Sequence, residues 1–367
     1  MHRGNVPLVE GLEVGTYRVP TDAPESDGTL KWDHTDVVIV QMTAGGSKGL
    51  GWSYAAKGAA DIVDGILRAI VVGRPAFSVE GASSAMNHGL RNVGVPGAGS
   101  MAVAAVDIAM WDLKAKLLDL SLFDLFGAFR EGVELYGSGG FTSYSEERLA
   151  DQLGSWAAQG MRRVKMKVGR DPAADPRRVH VARKAIGESV ALFVDANGAY
   201  SRKEALELAG RFAGESNVSW FEEPRPSDDL EGLRLLRDHG PAGMDIAAGE
   251  YGDVPGYFLR MLQVGAVDCL QADATRCGGY TGFLKVASLC ESFQMPLSAH
   301  CAPQLHAHIG CAVSGLRHVE FFHDHDRIDR ILFEGALEPL KGRLYPDRSR
   351  PGHGMALKAA DACHYRI

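Results

Sequence analysis

The pattern of hydrophobic and polar positions along this chain changes near residue 130. From Leu8 to Val40 apolar and polar residues alternate, interrupted by a Pro-, Asp-, Glu- and Gly-rich stretch from Pro20 to Gly28. This predicts a strand, a long polar loop and a second strand. Helical spacing is clearest from Ser100 to Leu118, where Ser100 can cap the helix. Strands followed by helices predict an α+β domain.

Beyond residue 130, short apolar strands alternate with helical segments. The first strands are expected at Val133–Tyr136 and Val164–Lys167, and one helix opens at Ser201 with a capping box to Glu204. Such alternation predicts a parallel sheet.

Seven polar residues close successive short apolar runs, at spacings of 20 to 28 residues: Lys167, Asp195, Glu222, Glu250, Asp273, His300 and Glu320. One strand-helix unit of a (β/α)8 barrel has roughly this length. The spacing therefore predicts a barrel with all seven side chains at one mouth, the end at which barrel enzymes carry their chemistry.

Composition narrows the class of protein. The 367 residues are 46% hydrophobic and 23% charged, which is typical of a globular protein with a large core. The net charge is −7 and no run of Lys or Arg occurs, so nucleic acid is a poor partner. We find no segment typical of a signal peptide or a membrane span and expect a cytoplasmic protein without a membrane partner. The six cysteines form no close CxxC pair and are expected to be free thiols.

Three of the strand-end residues are acids from successive strands. Asp195, Glu222 and Glu250 would converge on one region of the mouth and repel each other strongly without a cation. Carboxylate oxygens without neighbouring Cys or His favour Mg²⁺ or Mn²⁺. Any one of these acids alone could instead cap a helix or pair with a lysine.

The remaining strand-end residues are candidate acids and bases. Lys165 and Lys167 lie two apart on a strand and face the same side, where a neighbouring cation and a metal would lower the ammonium pKa towards that of a general base. Either lysine could instead only neutralise the acids. Asp273 can hold His300 in one tautomer as an acid or base, and Glu320 can share a proton with a substrate carboxylate.

These residues resemble the mandelate racemase subgroup of the enolase superfamily over almost the whole chain. The motifs are Val164-Lys165-Met166-Lys167, Asp195-Ala196-Asn197-Gly198, Phe221-Glu222-Glu223-Pro224, Gly249-Glu250, Gln271-Ala272-Asp273 and Ser298-Ala299-His300, with Asp107 to Lys114 in the first domain. The resemblance implies a (β/α)7β modified TIM barrel over residues 131–340. It implies an α+β capping domain over residues 1–130, completed by residues 341–367.

The resemblance also implies roles for the site residues. The implied ligands of one Mg²⁺ per subunit, with Mn²⁺ as an alternative, are Asp195, Glu222 and Glu250. The implied acid/base groups are Lys167 and His300 on opposite faces, with Asp273 orienting His300 and Lys165 assisting Lys167. The implied substrate-binding residues are Lys165, Asn197 and Glu320. Homo-oligomers, octamers or dimers, are typical of the family.

The reaction implied is Mg²⁺-dependent removal of the proton alpha to a carboxylate, through an enediolate. Dehydration of an acid sugar to a 2-keto-3-deoxy acid is favoured, and racemisation or epimerisation of a 2-hydroxy acid is the alternative. Either Lys167 or His300 takes the proton, depending on its face. Polar residues of the first domain fit a polyol: Thr21, Asp22, Glu25, Ser26, Asp27, Ser53 and Tyr54.

Two further classes are weaker. A metal-dependent hydrolase barrel would open with paired histidines, whereas the pair His306 and His308 follows the His300 strand. A non-catalytic binding protein would lack a base or a ligand, and none is missing. We interpret the glycine-rich stretches Gly45–Gly51 and Gly94–Gly99 as mobile cap loops rather than phosphate-binding loops.

Overall fold

The structure is a computed structural model that describes residues 6–367; the first five residues of the predicted cap lie outside the described residues. The chain begins with an antiparallel meander of β1 (Gly11–Ser26), β2 (Lys31–Ala44) and β3 (Ser47–Ser53). Helices α1 (Lys57–Ile62), α2 (Arg68–Val71), α3 (Val79–Gly89), α4 (Ala98–Leu117) and α5 (Leu122–Leu125) follow, with a π-helical turn at Val63–Leu67. The meander and α4 share a buried apolar core.

The long polar loop predicted over Pro20–Gly28 is wrong. β1 continues to Ser26, and Glu25 and Ser26 pair with Trp32 and Lys31 of β2 after a register shift between Pro20 and Glu25. Backbone pairing with β2 outweighs the polar composition, because an irregular strand end tolerates polar residues. Only residues 27–30 form the turn.

In contrast to the prediction, the glycine-rich stretches are not loops throughout, because each runs into a regular element. Gly45 and Gly46 make a tight turn with positive φ, and the rest of the Gly45–Gly51 stretch runs into the buried strand β3. A Cβ at Gly51 would overlap the α4 backbone at Ala105 and Ala109, so glycine permits this close approach. Helix α4 begins after Gly97, so the second stretch includes its first residues.

The helix N-cap predicted at Ser100 is wrong, because α4 begins earlier, with Gly97 at the N-cap position. Ser100 lies inside α4, and its Oγ donates to the carbonyl of Arg276 in the second half of the chain. The helix is therefore fixed by a tertiary contact at this residue.

Eight parallel strands close into a barrel through the pairing of the last strand with the first, as predicted. They are β4 (Val133–Gly139), β5 (Arg163–Lys167), β6 (Ala191–Asp195), β7 (Val218–Glu222), β8 (Asp245–Ala248), β9 (Cys269–Ala272), β10 (Leu297–Ala299) and β11 (Leu316–Phe322). The helices that follow them in turn are α6 (Glu146–Ala158), α7 (Asp175–Ile186), α8 (Arg202–Ser216), α9 (Leu230–His239), α10 (Pro255–Val264), α11 (Gly279–Ser292), α12 (Pro303–Gly310) and α13 (His323–Leu332). The predicted capping box at Ser201 and Glu204 is present at the start of α8.

Aromatic side chains fill the barrel interior below the mouth. Phe193 and Trp220 stack with ring centroids 5.1 Å apart, and the rings of Tyr136 and His318 pack against them. Trp220 Nε1 donates to Glu222 Oε2 over 3.0 Å, which joins this layer to the polar mouth above it. A packed interior of this kind gives the mouth residues a rigid base.

The last residues contact both parts of the molecule. The short elements are β12 (Phe333–Glu334), β13 (Arg343–Leu344), β14 (Ala356–Leu357), α14 (Ala359–Ala362) and a 3-10 turn at Cys363–Tyr365. β13 pairs antiparallel with β4, while Arg366 forms a bridge with Tyr17 of β1. Tyr54 donates to Asp329 of α13 over 2.6 Å, which adds a polar contact across the seam.

All six cysteines are free, and all but Cys363 are buried. Within residues 6–367 no helix combines the length and the hydropathy needed to cross a bilayer.

Candidate active site

The three predicted acids meet at the barrel mouth. Asp195 and Glu222 end β6 and β7 and pair directly in the sheet register. Glu250 follows β8 after Gly249, which has a φ of 132°. A Cβ at Gly249 would also lie 2.2 Å from the Gln271 carbonyl oxygen, so only glycine fits here. All three are buried, and one carboxylate oxygen of each lies within 4.8 Å of the others.

The electrostatics of this trio fit a divalent cation. Burial and the Asp195 charge raise the pKa of Glu222. Glu250 Oε2 is buried and makes no hydrogen bond of acceptable geometry, although His300 Nε2 lies 3.2 Å away. The neighbouring Glu223 is fully buried with an unpartnered Oε1, and burial together with Glu250 raises its pKa. Excess buried negative charge with hard oxygen donors is the environment that Mg²⁺ requires.

Both lysines reach the trio from β5, as their spacing predicted. Lys167 Nζ lies 2.5 Å from Asp195 Oδ2 and 3.0 Å from Asn197 Oδ1. Lys165 Nζ lies 2.7 Å from Glu320 Oε1 and also donates to Glu222.

Neighbouring carboxylates act against the predicted lowering of the lysine pKa values, which includes the charge of a bound metal and stays a prediction. Burial lowers the pKa of Lys165, but the charges of Glu222 and Glu320 outweigh it and raise the pKa well above its ordinary value. For Lys167 burial is likewise outweighed, mainly by Asp195, and the pKa is raised. The physical reason is that carboxylates, rather than another cation, are the closest neighbours of each ammonium.

The histidine and aspartate form the predicted pair. Asp273 follows β9, His300 follows β10, and His300 Nδ1 lies 3.0 Å from Asp273 Oδ2. Burial opposes ionisation of Asp273, but the hydrogen bond with His300 lowers its pKa to about 2. Burial also lowers the pKa of His300, but Cys301, Glu250 and Glu320 raise it well above its ordinary value.

Glu320, on β11, is buried between several partners. Its Oε1 accepts from Ser138 over 2.6 Å, and its Oε2 accepts from the Cys301 backbone N–H over 3.0 Å. His300 Nε2 lies 3.6 Å from Oε2. Burial opposes ionisation, but Lys165 and His300 lower the pKa of Glu320, which remains a carboxylate.

A cavity of about 400 Å³ lies between the barrel mouth and the first domain. Of the predicted site residues it is lined by Lys167, Asn197, Glu250, His300 and Glu320, whereas Lys165, Asp195, Glu222 and Asp273 do not line it. Cavities of this size hold small-molecule ligands. Lys167 and His300 therefore share one compartment.

The first domain contributes only part of its predicted polar set. Asp27 and Tyr54 line the cavity. Ser53 is buried and donates to the Thr275 carbonyl over 2.6 Å, and Asp22 contacts Arg148 near the surface. Glu25 accepts from Trp32 over 2.7 Å and does not line the cavity. Thr21 and Ser26 do not line it either.

Several cavity residues carry no signal in the sequence. Arg276 donates to the Glu250 carbonyl over 3.1 Å, lies 3.8 Å from Asp273 Oδ2 and packs over the Tyr251 ring. Cys301 lies beside His300, with Sγ 3.3 Å from Nε2. Both belong to loops. The one sequence signal for Arg276 is its position three residues after the strand-end residue Asp273.

The paired histidines have a different place. His306 lies in α12, where Nε2 accepts from the Ala274 N–H over 2.9 Å and Nδ1 bonds to the Cys301 carbonyl over 2.8 Å. It thus ties the loops after β9 and β10 together. Two other clusters among the described residues have metal-ligand geometry: His300, Cys301 and Glu320 within the site, and Asp22, Glu25 and His323 at the seam between the domains.

Two family profiles match this chain. Residues 15–127 match "Mandelate racemase / muconate lactonizing enzyme, N-terminal domain", and residues 148–362 match "Enolase C-terminal domain-like". The first match covers β1 to α5, and the second covers β5 to β11 with their helices. Both halves of the site thus lie in matched sequence.

Three relatives cover nearly the whole chain. A crystal structure of a mandelate racemase/muconate lactonizing enzyme-like protein from Rubrobacter xylanophilus is 54% identical, covers 98% of this chain and 100% of its own, and has a TM-score of 0.97. The 3,6-anhydro-alpha-L-galactonate cycloisomerase of Streptomyces coelicolor is 31% identical over 95% of this chain and 97% of its own. The L-talarate/galactarate dehydratase of Salmonella typhimurium is 29% identical over 95% and 89%. Its structure liganded with Mg and L-lyxarohydroxamate has a TM-score of 0.90 at 26% identity, covering 100% of this chain and 95% of that one.

Proposed function

The chain belongs to the mandelate racemase / muconate lactonizing enzyme family of the enolase superfamily, and from that premise we propose that it dehydrates a sugar acid to a 2-keto-3-deoxy acid. Magnesium is its cofactor, as predicted. The observation that carries the proposal is that a cluster of three buried carboxylates reaches, through Glu250, the cavity that two separate proton carriers, Lys167 and His300, also line. A small carboxylate is the substrate class that such a site serves.

The ligands that would hold the cation are Asp195, Glu222 and Glu250. When bound, Mg²⁺ supplies the positive charge that stabilises the second negative charge developing on a substrate carboxylate as its alpha proton leaves. Lys165 contributes to the same stabilisation from the buried side, because its ammonium is fixed against Glu320 and Asp195.

We assign proton transfer to Lys167 and His300, the two candidate bases that line the cavity. Lys167 or His300, depending on the face that carries the alpha hydrogen, takes that proton and leaves an enediolate. An acid in the site then gives a proton to the beta hydroxyl. His300, which Asp273 holds in place, is available for this step. The beta carbon–oxygen bond breaks, water leaves, and the resulting enol becomes the 2-keto-3-deoxy acid.

Binding residues complete the assignment. We place Asn197 against a substrate hydroxyl, since its amide lies beside Lys167 in the cavity wall. We place Glu320 against the substrate carboxylate or the enediolate, with its own negative charge offset by the Lys165 ammonium 2.7 Å from its Oε1. In this assignment residues 131–340 supply the catalytic groups, while residues 1–130 and 341–367 form the cover.

A cycloisomerase is the second candidate, because the Streptomyces relative covers 95% of the chain. In a 3,6-anhydro sugar acid, the oxygen on the beta carbon belongs to a ring. The same alpha-proton removal would then open the ring instead of releasing water, and the product would have the mass of the substrate. Racemisation or epimerisation remains the outcome when no beta group leaves.

A panel of aldonates, aldarates and 3,6-anhydro acids distinguishes these reactions. We would incubate the protein with Mg²⁺ in deuterium oxide, follow the alpha hydrogen by proton NMR and measure 2-keto acid formation. A 2-keto-3-deoxy acid lighter than its substrate by one water supports dehydration. Exchange without a keto product indicates racemisation or epimerisation, and silence with every acid contradicts the proposal.

We also propose that the protein is a homo-oligomer, a dimer or an octamer. Light scattering coupled to size-exclusion chromatography would give the mass, and a monomer at micromolar concentration would contradict this.

A further inference from the structure

We infer that the cavity selects sugar acids with a single carboxylate and an uncharged polyol tail, and that Asp27 is the residue that determines this choice. The inference rests on the proposed function and narrows its substrate class from acid sugars in general to aldonates. It excludes aldarates, which carry a carboxylate at both ends.

Charges in the cavity wall are separated by domain. The cations that line it are Lys167, Arg276 and His300, and all belong to the barrel. Among the described lining residues the first domain contributes no Lys or Arg, but two aspartates, Asp27 and Asp36. Arg18 pairs with Asp36, whereas Asp27 makes no ion pair within residues 6–367, so a substrate tail that reaches the first domain meets Asp27 as the uncompensated carboxylate.

Asp27 offers one free acceptor. Its Oδ1 accepts from the Thr29 N–H over 2.6 Å, the Leu30 N–H over 2.7 Å and the Thr29 hydroxyl over 3.1 Å. Within residues 6–367 all hydrogen bonds to this carboxylate go to Oδ1 and none to Oδ2, and the side chain lines the cavity. An acceptor without a partner fits a substrate hydroxyl, which can donate, and opposes a second carboxylate, which cannot.

The Asp27 turn is fixed on the barrel. A Cβ at the adjacent Gly28 would lie within 2.8 Å of Val168 O and Ala199 Cβ, so the backbone packs directly on the loops after β5 and β6. The Thr142 hydroxyl donates to the Asp27 carbonyl over 2.8 Å. With these contacts the carboxylate cannot swing away from a charged tail without breaking the interface.

The other ionisable groups on this wall are already paired. Arg18 makes a two-pronged ion pair with Asp36, with bonds of 2.8 and 2.9 Å. His34 lies between two carboxylates, with Nδ1 2.6 Å from Asp33 and Nε2 4.0 Å from Asp36. His34 thus already has two carboxylate neighbours, and among the described lining residues of the first domain no Lys or Arg is present to bind a distal carboxylate.

The test compares pairs of acids that share one configuration, an aldonate and the aldarate with the same stereocentres, in kcat/KM with Mg²⁺. Like charges across a binding site cost several kcal/mol, so we expect the aldonate to be preferred by about 100-fold. Asp27→Asn keeps Oδ1 for the turn but replaces Oδ2 by an amide donor, and we expect the preference to fall to about 10-fold or less. Asp61→Asn, on exposed α1 and outside the cavity wall, removes the same charge and should leave the ratio unchanged.

Each outcome has one meaning. An aldonate preference that collapses in Asp27→Asn but not in Asp61→Asn supports the inference. An aldarate turned over as well as its aldonate by the unaltered protein overturns the inference and leaves dehydration standing. An unchanged ratio in Asp27→Asn overturns the role of this residue. The absence of turnover and alpha exchange with every acid overturns the proposed function, and the inference falls with it.

Discussion

Lys165 provides a direct test of the charge balance in the site. Its fully buried ammonium lies 2.7 Å from Glu320 Oε1 and 3.2 Å from Asp195 Oδ2, and it also donates to Glu222. Methionine has a similar length and fits a buried position without the charge. Lys165→Met therefore leaves the three carboxylates in place and removes the cation that they share.

The size of the effect follows from the geometry. A pair of unit charges 3 Å apart is worth about 5 kcal/mol before desolvation at an effective dielectric constant of 20. Removing one partner of a buried pair costs about 3–5 kcal/mol, because the other charge stays buried and uncompensated. A carboxyl group here can take up a proton, and the pKa of Glu222 is already raised, so we expect about 3 kcal/mol in the free energy of unfolding.

Magnesium should reverse most of this loss. A divalent cation held by Asp195 and Glu222, two of the three carboxylates beside Lys165, replaces most of the missing charge, and ligand binding to the folded state adds its own stabilisation. We expect Lys165→Met to lose only about 1 kcal/mol when Mg²⁺ is saturating. Urea unfolding followed by circular dichroism, in EDTA and in Mg²⁺, measures both values.

An equal loss in EDTA and in Mg²⁺ would refute the reasoning, since Lys165 and the metal would then not compensate the same charges. A variant as stable as the unaltered protein in EDTA would refute it too. Lys203→Met, at an exposed position on α8, serves as the control and should stay within about 0.5 kcal/mol in both buffers.

Three further predictions concern catalysis, packing and pH. Lys167→Ala and His300→Asn should each lower kcat by about 10²–10⁴-fold, and each should retain alpha-deuterium exchange only with acids whose proton faces the remaining base, which NMR in deuterium oxide reads directly. Gly51→Ala should lower the free energy of unfolding by about 1–3 kcal/mol in urea melts, because the new methyl group meets the α4 backbone at Ala109. Burial and Asp324 raise the pKa of Glu25 to about 8, so the folded state binds a proton that the unfolded state has released, and stability falls as pH rises from about 4.5 to about 8. Glu25→Gln should reduce this loss of stability by up to about 1.4 kcal/mol per pH unit. If the urea midpoint falls between pH 5 and pH 8 as much in Glu25→Gln as in the unaltered protein, the prediction is contradicted.

Strand-end positions could be predicted from the sequence because a barrel repeats at a nearly constant length. The acids Asp195 and Glu222 end strands that pair in register, and Asp273 meets His300 from the neighbouring strand. Residue type and spacing are sufficient for such groups, since parallel strands bring their ends together whatever the loops do.

The cavity residues that lie in loops and the charge balance of the site could not be predicted from the sequence, because both depend on tertiary contacts. Arg276 and the free oxygen of Asp27 are aimed by loop geometry that no periodicity encodes. Glu320, remote in sequence, lies beside Lys165 and raises its pKa, an effect that residue spacing does not reveal. The polar composition around Glu25 predicts a loop and so conceals the pairing of this strand end with β2.

We propose that the strand-end carboxylates, and not another acidic cluster, hold the catalytic cation. A crystal grown with Mn²⁺ in place of Mg²⁺ and measured for anomalous scattering locates the ion directly. We predict one strong peak bounded by Asp195, Glu222 and Glu250. A peak at the Asp22, Glu25 and His323 cluster, with none at the barrel mouth, would contradict the account.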